Sequence, residues 1–268
     1  MNEIAEALVP VPNQGRVYRA RRKVRLGDVA PSGRLRLDAA ARYLQDIGND
    51  DTEDSGLDAV AGHGAGIWVV RRAVLDVITP PRWGEWIDLA TWCAGTGGRW
   101  AERRLSLRGE DGGHVEATTL WIHLDRDTLM PTRLPTAFSE IYGEAAGDRR
   151  VSARLWLDGR PPGDGDAAAD VVSLPWPLRA VDFDVMRHVN NAAYWTAIEE
   201  VLAADRSRGP RLGQGLTVRT ILEFGAGIAP DAKVQLLVRH HDEALDIWFT
   251  EDGDTTVHAT AKLFLLPG

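Results

Sequence analysis

The sequence has one cysteine, Cys93, among its 268 residues. An intramolecular disulfide is therefore excluded, and a reducing compartment is favoured. No apolar run approaches the roughly 18 residues that a membrane-spanning helix needs. The N-terminus, Met1-Asn2-Glu3-Ile4-Ala5-Glu6, is acidic and lacks the basic-then-apolar order of a signal peptide. We therefore expect a cytoplasmic protein that does not act in a membrane.

Several binding and catalytic motifs are also missing. Gly-rich phosphate loops and the Gly-x-Ser-x-Gly motif do not occur, which argues against nucleotide binding and covalent serine catalysis. Cys93 stands in an alternating strand pattern, so we expect a buried structural thiol rather than a nucleophile. The other histidines show no metal-ligand spacing with His188 or with Cys93, so we expect no metal and no cofactor. A net charge of −8 disfavours general nucleic-acid binding.

What the sequence does contain is the same order of elements twice. A strand at about 16–27 precedes apolar residues at helical spacing over 37–47, and strand-like segments follow at 67–77, 85–93, 100–108 and 115–125. A strand at about 176–182 then precedes a helix at about 190–204, and strands follow at 216–224, 232–240, 244–250 and 256–266. This order predicts an α+β fold, a tandem in which each long helix is wrapped by its own antiparallel sheet.

Composition shifts divide the chain into four parts. Residues 1–15 are predicted to be a flexible tail and residues 16–142 the first domain. Residues 143–172 are predicted to be a linker, because they contain the breaker cluster Arg160-Pro161-Pro162-Gly163-Asp164-Gly165-Asp166. Residues 173–268 form the predicted second domain.

Candidate catalytic residues gather where the second strand gives way to the second helix. The stretch from Asp182 to Tyr194 brings together Asp184, His188, Asn190 and Asn191. A helix start has unpaired backbone N–H groups and a partly positive dipole, so it can polarise a carbonyl. We expect one asparagine to cap the helix while its free N–H groups form an oxyanion hole. The first half has only Val29-Ala30-Pro31-Ser32-Gly33-Arg34 at this junction, which predicts one active site per chain.

Glu223 is the second candidate carboxylate. It lies near the end of the apolar strand Leu216–Phe224. A buried glutamate there would have a raised pKa and could act as a general base for water. Pairing with Arg219 at a sheet edge is an equally good interpretation of the pattern.

Six basic residues crowd into the ten positions from Arg16 to Arg25, and alternation places four of them on one strand face: Arg19, Arg21, Lys23 and Arg25. Taken alone, a solvated strand face is the better interpretation. The functional alternative is a docking patch for an acidic partner.

The chain resembles the plant-type fatty acyl-ACP thioesterases (ACP, acyl carrier protein), which also occur in bacteria and consist of two fused hotdog domains. The resemblance extends over nearly the whole chain after the tail. It rests on Val24-Arg25-Leu26-Gly27, Ala41-Arg42-Tyr43-Leu44-Gln45-Asp46, Asp54-Ser55-Gly56-Leu57, Ile67-Trp68-Val69-Val70-Arg71, Pro81-Arg82-Trp83-Gly84-Glu85, Asp182–Asn191, Tyr194 and the strand of Glu223.

The family pattern Asp-x-Asn-x-His-Val-Asn-Asn implies roles for three residues. Its acid falls on Asp184, its histidine on His188, and its later glutamate on Glu223, whereas its first asparagine is replaced by Met186. The resemblance implies that Glu223, positioned with help from His188, activates water, and that Asp184 orients the group. The residue after the glutamate, often cysteine in plant members, is Phe224, which argues further against a cysteine nucleophile.

The resemblance also implies a substrate and a partner. The substrate is a long-chain acyl-phosphopantetheine thioester on ACP, and the acyl chain enters an apolar pocket in the first half. We expect Trp68, Trp92 and Trp121 to line that pocket and the basic strand to receive the acidic carrier. The alternatives are an acyl-CoA thioesterase and a non-catalytic acyl-thioester binding protein, the latter suggested by Met186. The oligomeric state stays open between monomer and homodimer.

Overall fold

A computed structural model describes residues 8–57, 66–162, 170–205, 217–251 and 256–266. The described helices are α1 (Leu37–Ser55), α2 (Thr136–Ala146) and α3 (Asn191–Ala204). The first five strands are β1 (Val17–Lys23), β2 (Ile67–Thr79), β3 (Trp86–Thr96), β4 (Trp100–Gly109) and β5 (His114–Leu124). The second five are β6 (Val171–Trp176), β7 (Thr217–Phe224), β8 (Val234–His240), β9 (Ala244–Glu251) and β10 (Val257–Leu266).

The strands form one antiparallel sheet that contains the same motif twice. Its order is β1-β3-β4-β5-β2-β7-β10-β9-β8-β6. Counted outward from the central β2–β7 pair, both halves have the same strand sequence, and each half carries one long helix that packs on its inner face. The predicted α+β tandem is therefore confirmed, and each half is a hotdog domain.

The two long helices pack against each other on the inner face of the sheet. Leu37, at the start of α1, donates its N–H to Glu199 in the middle of α3, and Asn191, at the start of α3, lines the same slot as Gln45 and Gly48 of α1. The helices are thus antiparallel, and each helix start faces the middle of the other helix. The main core cluster fills the space between the helices and the inner strand faces. None of the described helices is long and apolar enough to cross a membrane.

The loops that precede α1 and α3 have the same backbone structure. Each begins with a 3-10 turn, Leu26–Asp28 or Ala180–Asp182, whose last aspartate accepts from the backbone N–H of an arginine. Each then closes a small bridge, Val29 with Leu35 and Phe183 with Val189. The duplication therefore extends to individual hydrogen bonds at the junction where the catalytic residues were predicted.

The segment between the halves crosses the outer face of the sheet. It starts beside β3, where the Val151 N–H donates to Thr96, and it reaches β9, where the Trp248 indole donates to the Asp158 carbonyl over 3.2 Å. Between these points it passes over Arg72 of β2 and Glu223 of β7. The predicted linker is thus a covering strap over its described part, whereas 163–169, like residues 1–7 of the predicted tail, lies outside the described residues.

Two sequence-based element predictions are wrong. The strand expected at 176–182 lies earlier, at Val171–Trp176, and is followed by the 3-10 turn. Helix α2 was not predicted, and it runs through the expected boundary at 142. Its apolar side packs beside Trp68, where Phe138 and Tyr142 are buried, so tertiary contacts hold a short helix that has weak end signals.

Candidate active site

Asp184 and His188 lie in one tight loop immediately before α3. The Asp184 N–H donates to the His188 carbonyl over 3.1 Å, and the Asp184 carboxylate accepts from the Met186 N–H over 2.9 Å. Arg187 has a φ of 61°, the left-handed conformation that the matching loop of the first half gives to Gly33. The loop thus holds an acid and an imidazole a few residues from a helix start.

His188 is an exposed residue whose ring lies against Gly227. A Cβ built on Gly227 would be 3.2 Å from the imidazole Cγ, so an alanine there would push the ring away by a few tenths of an ångström. No side-chain hydrogen bond of His188 exists among the described residues, which leaves both ring nitrogens available to a substrate. The backbone bond from Val189 N–H to the Ile228 carbonyl fixes the two loops together.

Asn190 is the asparagine that caps α3. Its side-chain oxygen accepts from the Ala192 N–H over 2.9 Å. The Asn191 N–H has no partner within the described part of the chain, so it is the free donor at this helix start. A carbonyl oxygen placed there would accept from this N–H and lie at the positive end of the helix dipole.

Glu223 lies on the other face of the sheet. Its neighbour Phe224 packs edge-on against Tyr194 of α3, with ring centroids 5.2 Å apart, and adjacent strand residues point to opposite faces. The Glu223 carboxylate instead accepts from the backbone N–H groups of Trp156 (2.7 Å) and Leu157 (3.0 Å). The structure therefore brings Asp184, His188, Asn190 and Asn191 together, and it does not bring Glu223 to them.

The environment of Glu223 is buried and partly charged. The residue is 3% exposed, and Arg72 lies 3.9 Å from its carboxylate and over the Trp156 ring. Burial raises the pKa of Glu223, and the two backbone N–H groups and the nearby arginines oppose that rise. The alternative partner from the sequence, Arg219, pairs with Asp76 instead, and β7 is a central strand rather than an edge.

An apolar slot leads from the start of α3 into the first half. It measures about 60 Å³ and is lined by Asn191, Ala192 and Trp195 of α3, by Phe224, and by residues of α1 and of strands β2, β4 and β5. A larger cavity of about 650 Å³ adjoins it and shares Gly48, Arg103 and Trp121 with it. The start of the second helix therefore opens toward a cavity in the first half.

Two of the three expected tryptophans line this cavity. Trp68 and Trp121 do so together with Phe138. Trp92 points to the outer face, where it is 1% exposed beneath Val9 and pairs in register with Arg104. Trp92 therefore does not contribute to the cavity, because its strand position has the opposite parity to that of Cys93, which does.

Cys93 is a buried thiol, as predicted. It is 4% exposed, and burial raises its pKa to about 11. A thiol with such a pKa is not ionised near neutrality, so it is a poor nucleophile.

The basic strand lies at one edge of the sheet. Arg19, Arg21 and Lys23 share the outer face of β1, and Arg25 follows the strand in an exposed position. Arg21 pairs with Glu110 at 2.6 Å, whereas Arg19 has no ion-pair partner among the described residues. Five strand spacings, roughly 24 Å along the sheet, separate β1 from β7, the strand that precedes Gly227.

Comparisons with known proteins agree with this architecture. The family model for the acyl-ACP thioesterase N-terminal domain matches residues 15–142, and that for the C-terminal domain matches residues 166–252. An acyl-ACP thioesterase structure from Bacteroides thetaiotaomicron has a TM-score of 0.72 at 17% identity, over 93% of this chain and 98% of that one. Both results define a double-hotdog thioesterase.

Two curated relatives extend the comparison. An uncharacterised protein of Mycobacterium tuberculosis is 34% identical over 96% of this chain and 95% of its own length. The chloroplastic palmitoyl-acyl carrier protein thioesterase of Arabidopsis thaliana is 24% identical over 69% of this chain, which spans about half (47%) of that protein. The chain belongs to the acyl-ACP thioesterase family, and it is a thioester hydrolase.

The sequence did not reveal the residues that contact His188 and Glu223 from outside the motif. Gly227 supports His188, and the strap residues Trp156 and Leu157 bind Glu223. A glycine after a strand and backbone N–H groups in a linker carry no distinctive sequence signal, so neither set could be recognised before the fold was known.

Proposed function

We propose that the protein hydrolyses the thioester of a long-chain fatty acyl group on acyl carrier protein and releases the free fatty acid. The observation that carries this proposal is the apolar slot that begins at Asn191 and adjoins the cavity beneath Trp68 and Trp121. A carbonyl at the helix start would have its acyl chain in the slot. The Arabidopsis relative, named for palmitoyl-acyl carrier protein, supports a long chain.

The proposed reaction is addition of water to the thioester carbonyl, followed by loss of the thiol. The water oxygen bonds to the carbonyl carbon while the carbonyl electron pair moves to oxygen, and the Asn191 N–H stabilises that oxyanion. A carboxylate takes the proton from water. When the carbonyl re-forms, the carbon–sulfur bond breaks, and the sulfur receives the proton that the carboxylate took from water, passed on through the His188 imidazole.

Two carboxylates are candidates for the general base, Asp184 and Glu223. We propose Asp184, because it shares a loop with His188 and only one hydrogen bond to its carboxylate, from the Met186 N–H, exists among the described residues. Glu223 as base, the sequence-based hypothesis, stays a prediction. Its two oxygens already accept from Trp156 and Leu157, which favours a role in holding the strap.

The carrier would dock through the basic strand face of Arg19, Arg21, Lys23 and Arg25. A row of guanidinium and ammonium groups attracts an acidic protein, and the attraction weakens with salt. From a carrier bound at β1, the phosphopantetheine arm would have to bring the thioester to the helix start at Asn191. The carrier preference is therefore an independent part of the proposal.

The decisive experiment measures thiol release from a panel of acyl-ACP thioesters of different chain length, with the same acyl groups on CoA. We expect the highest kcat/KM for a long chain on the carrier. A higher value on CoA would contradict the carrier assignment and support the acyl-CoA alternative. Absence of release from every thioester would contradict the proposed function as a whole.

A further inference from the structure

The starts of α1 and α3 differ in whether a facing side chain accepts a hydrogen bond from the first helical N–H. In the first half, the Glu199 carboxylate accepts from the Leu37 N–H over 3.1 Å and forms a buried ion pair with Arg34. Arg34 and Glu199 are only 6% exposed each. An acidic side chain from α3 thus fills the acceptor position at the start of α1.

The duplication identifies the counterparts of these groups in the second half. Counted from the first helical residue, Arg34 corresponds to His188, and Leu37 corresponds to Asn191. Counted in the same way along the helices, Glu199 of α3 corresponds to Gln45 of α1. Gln45 and Asn191 both line the apolar slot, as this correspondence requires.

Two residue differences between the halves therefore leave the first N–H of α3 without the cap that α1 has. The arginine of the first half is matched by a histidine and the glutamate by a neutral amide, so no carboxylate of the described segments caps the Asn191 N–H. Gln45 is half-buried and has no hydrogen-bond partner within the described residues. In the first half, a Glu199 oxygen lies beside the Leu37 N–H. A substrate oxygen that lies beside the Asn191 N–H in the same way could also accept from the Gln45 carboxamide.

We propose that Gln45, from the first half, completes the active site of the second half as an oxyanion donor. Its side-chain N–H binds the thioester carbonyl oxygen together with the Asn191 backbone N–H, so the catalytic site is built from both hotdog domains. This inference rests on the proposed function, because it assigns a residue to the same thioester carbonyl.

The test is Gln45→Glu, which restores the charge that closes the first half. The new carboxylate should cap the Asn191 N–H and face His188, as Glu199 caps Leu37 and faces Arg34. We expect kcat on palmitoyl-ACP to fall on the order of 100-fold, the usual effect of losing an oxyanion donor, while KM changes little. The melting temperature should be unchanged or higher, because the helix gains a charged cap.

A second variant and a control distinguish this role from packing. Gln45→Met keeps the length without a donor and should lower kcat at least about tenfold. Glu199→Gln makes the reverse exchange at the matching position and should lower the melting temperature but leave kcat unchanged. Wild-type kcat in both Gln45 variants, or a loss that follows a lowered melting temperature, would overturn the assignment. A wild-type enzyme inactive on every thioester would instead contradict the proposed function.

Discussion

Replacing Glu223 by glutamine distinguishes a structural carboxylate from a catalytic one. The variant keeps one acceptor oxygen, so one of the Trp156 and Leu157 N–H groups loses its partner. Arg72, which is 3% exposed, also loses its neighbouring negative charge. Hydrogen bonds to charged groups contribute about 1.5–3 kcal/mol, and breaking a buried ion pair costs about 3–5 kcal/mol.

The expected loss lies near the lower end of these ranges. The Arg72–Glu223 separation of 3.9 Å is long, and Arg72 retains its bond to the Arg154 carbonyl at 2.8 Å. Glutamine also removes the desolvation cost that raises the pKa of the buried carboxylate, which offsets part of these losses. A net loss of about 1.5 kcal/mol in the free energy of unfolding should lower the melting temperature by roughly 3–6 °C. If the carboxylate only holds the strap, kcat measured well below the melting temperature should change by less than about threefold.

The pH dependence gives a second readout with a fixed sign. The folded-state pKa of Glu223 is raised above its ordinary value of 4.5, so the folded protein binds this proton more tightly than the unfolded chain does. The stability linked to this proton is fully present below the unfolded pKa and is lost as pH rises through the folded pKa. The difference in unfolding free energy between wild type and Glu223→Gln should therefore widen as pH falls toward 4.5.

The assay pairs thermal unfolding with single-substrate kinetics on palmitoyl-ACP, and Asp184→Asn is the matched variant. We expect Asp184→Asn to lose kcat on the order of 10²-fold or more with little change in melting temperature, because its carboxylate is only half-buried. The reasoning fails if Glu223→Gln shows that kinetic loss at an unchanged melting temperature. Glu223 would then be the general base.

Three further predictions concern the surroundings of the site. Gly227→Ala should displace the His188 ring and lower kcat by roughly tenfold with KM nearly unchanged, and normal kcat would contradict support of the ring by Gly227. Trp68→Ala should shift the kcat/KM profile toward longer acyl chains, by about fourfold for each added methylene, whereas Trp92→Phe on the outer face should leave that profile unchanged. Arg19→Glu should lower kcat/KM for acyl-ACP at low salt but not for acyl-CoA, and equal losses on both would contradict docking on β1.

The element order could be predicted because the two halves carry strong local signals. Apolar spacing marks α1 and α3, and the polar run before Asn191 marks a helix start that the structure confirms. Trp68 and Trp92 lie on different strands and point to opposite faces of the sheet. Alternation within one strand could not predict this, because it depends on the register between strands. The register comes from pairing between distant segments, which a local pattern does not encode.

The position of Glu223 shows a different limit of sequence reasoning. The sequence correctly indicates a glutamate near the end of an apolar strand, and burial is confirmed. Its partners come from the strap at Trp156 and Leu157, a stretch whose composition predicts only a linker. Whether a buried carboxylate faces a substrate or a covering segment depends on which face the strand turns inward, and that is decided by the packing of Phe224 on Tyr194.

The loops before α1 and α3 share one backbone structure but differ in how the helix start is capped, so only the second helix start can bind a substrate oxygen. The same loop precedes both helices, but the first half uses Gly33 at its left-handed position and satisfies the Leu37 N–H with a buried carboxylate. The second half has Arg187 in the left-handed conformation, and its Asn191 N–H has no acceptor in the part of the chain that the structure describes, two features that reduce stability. A fully capped helix start has no N–H left to donate to a developing oxyanion. Binding an oxyanion therefore requires an uncapped N–H, and this lowers the stability of the junction. Each helix start faces the middle of the other helix. Glu199 of α3, which caps the start of α1, and Gln45 of α1, which faces the start of α3, therefore lie in the same interface between the two helices.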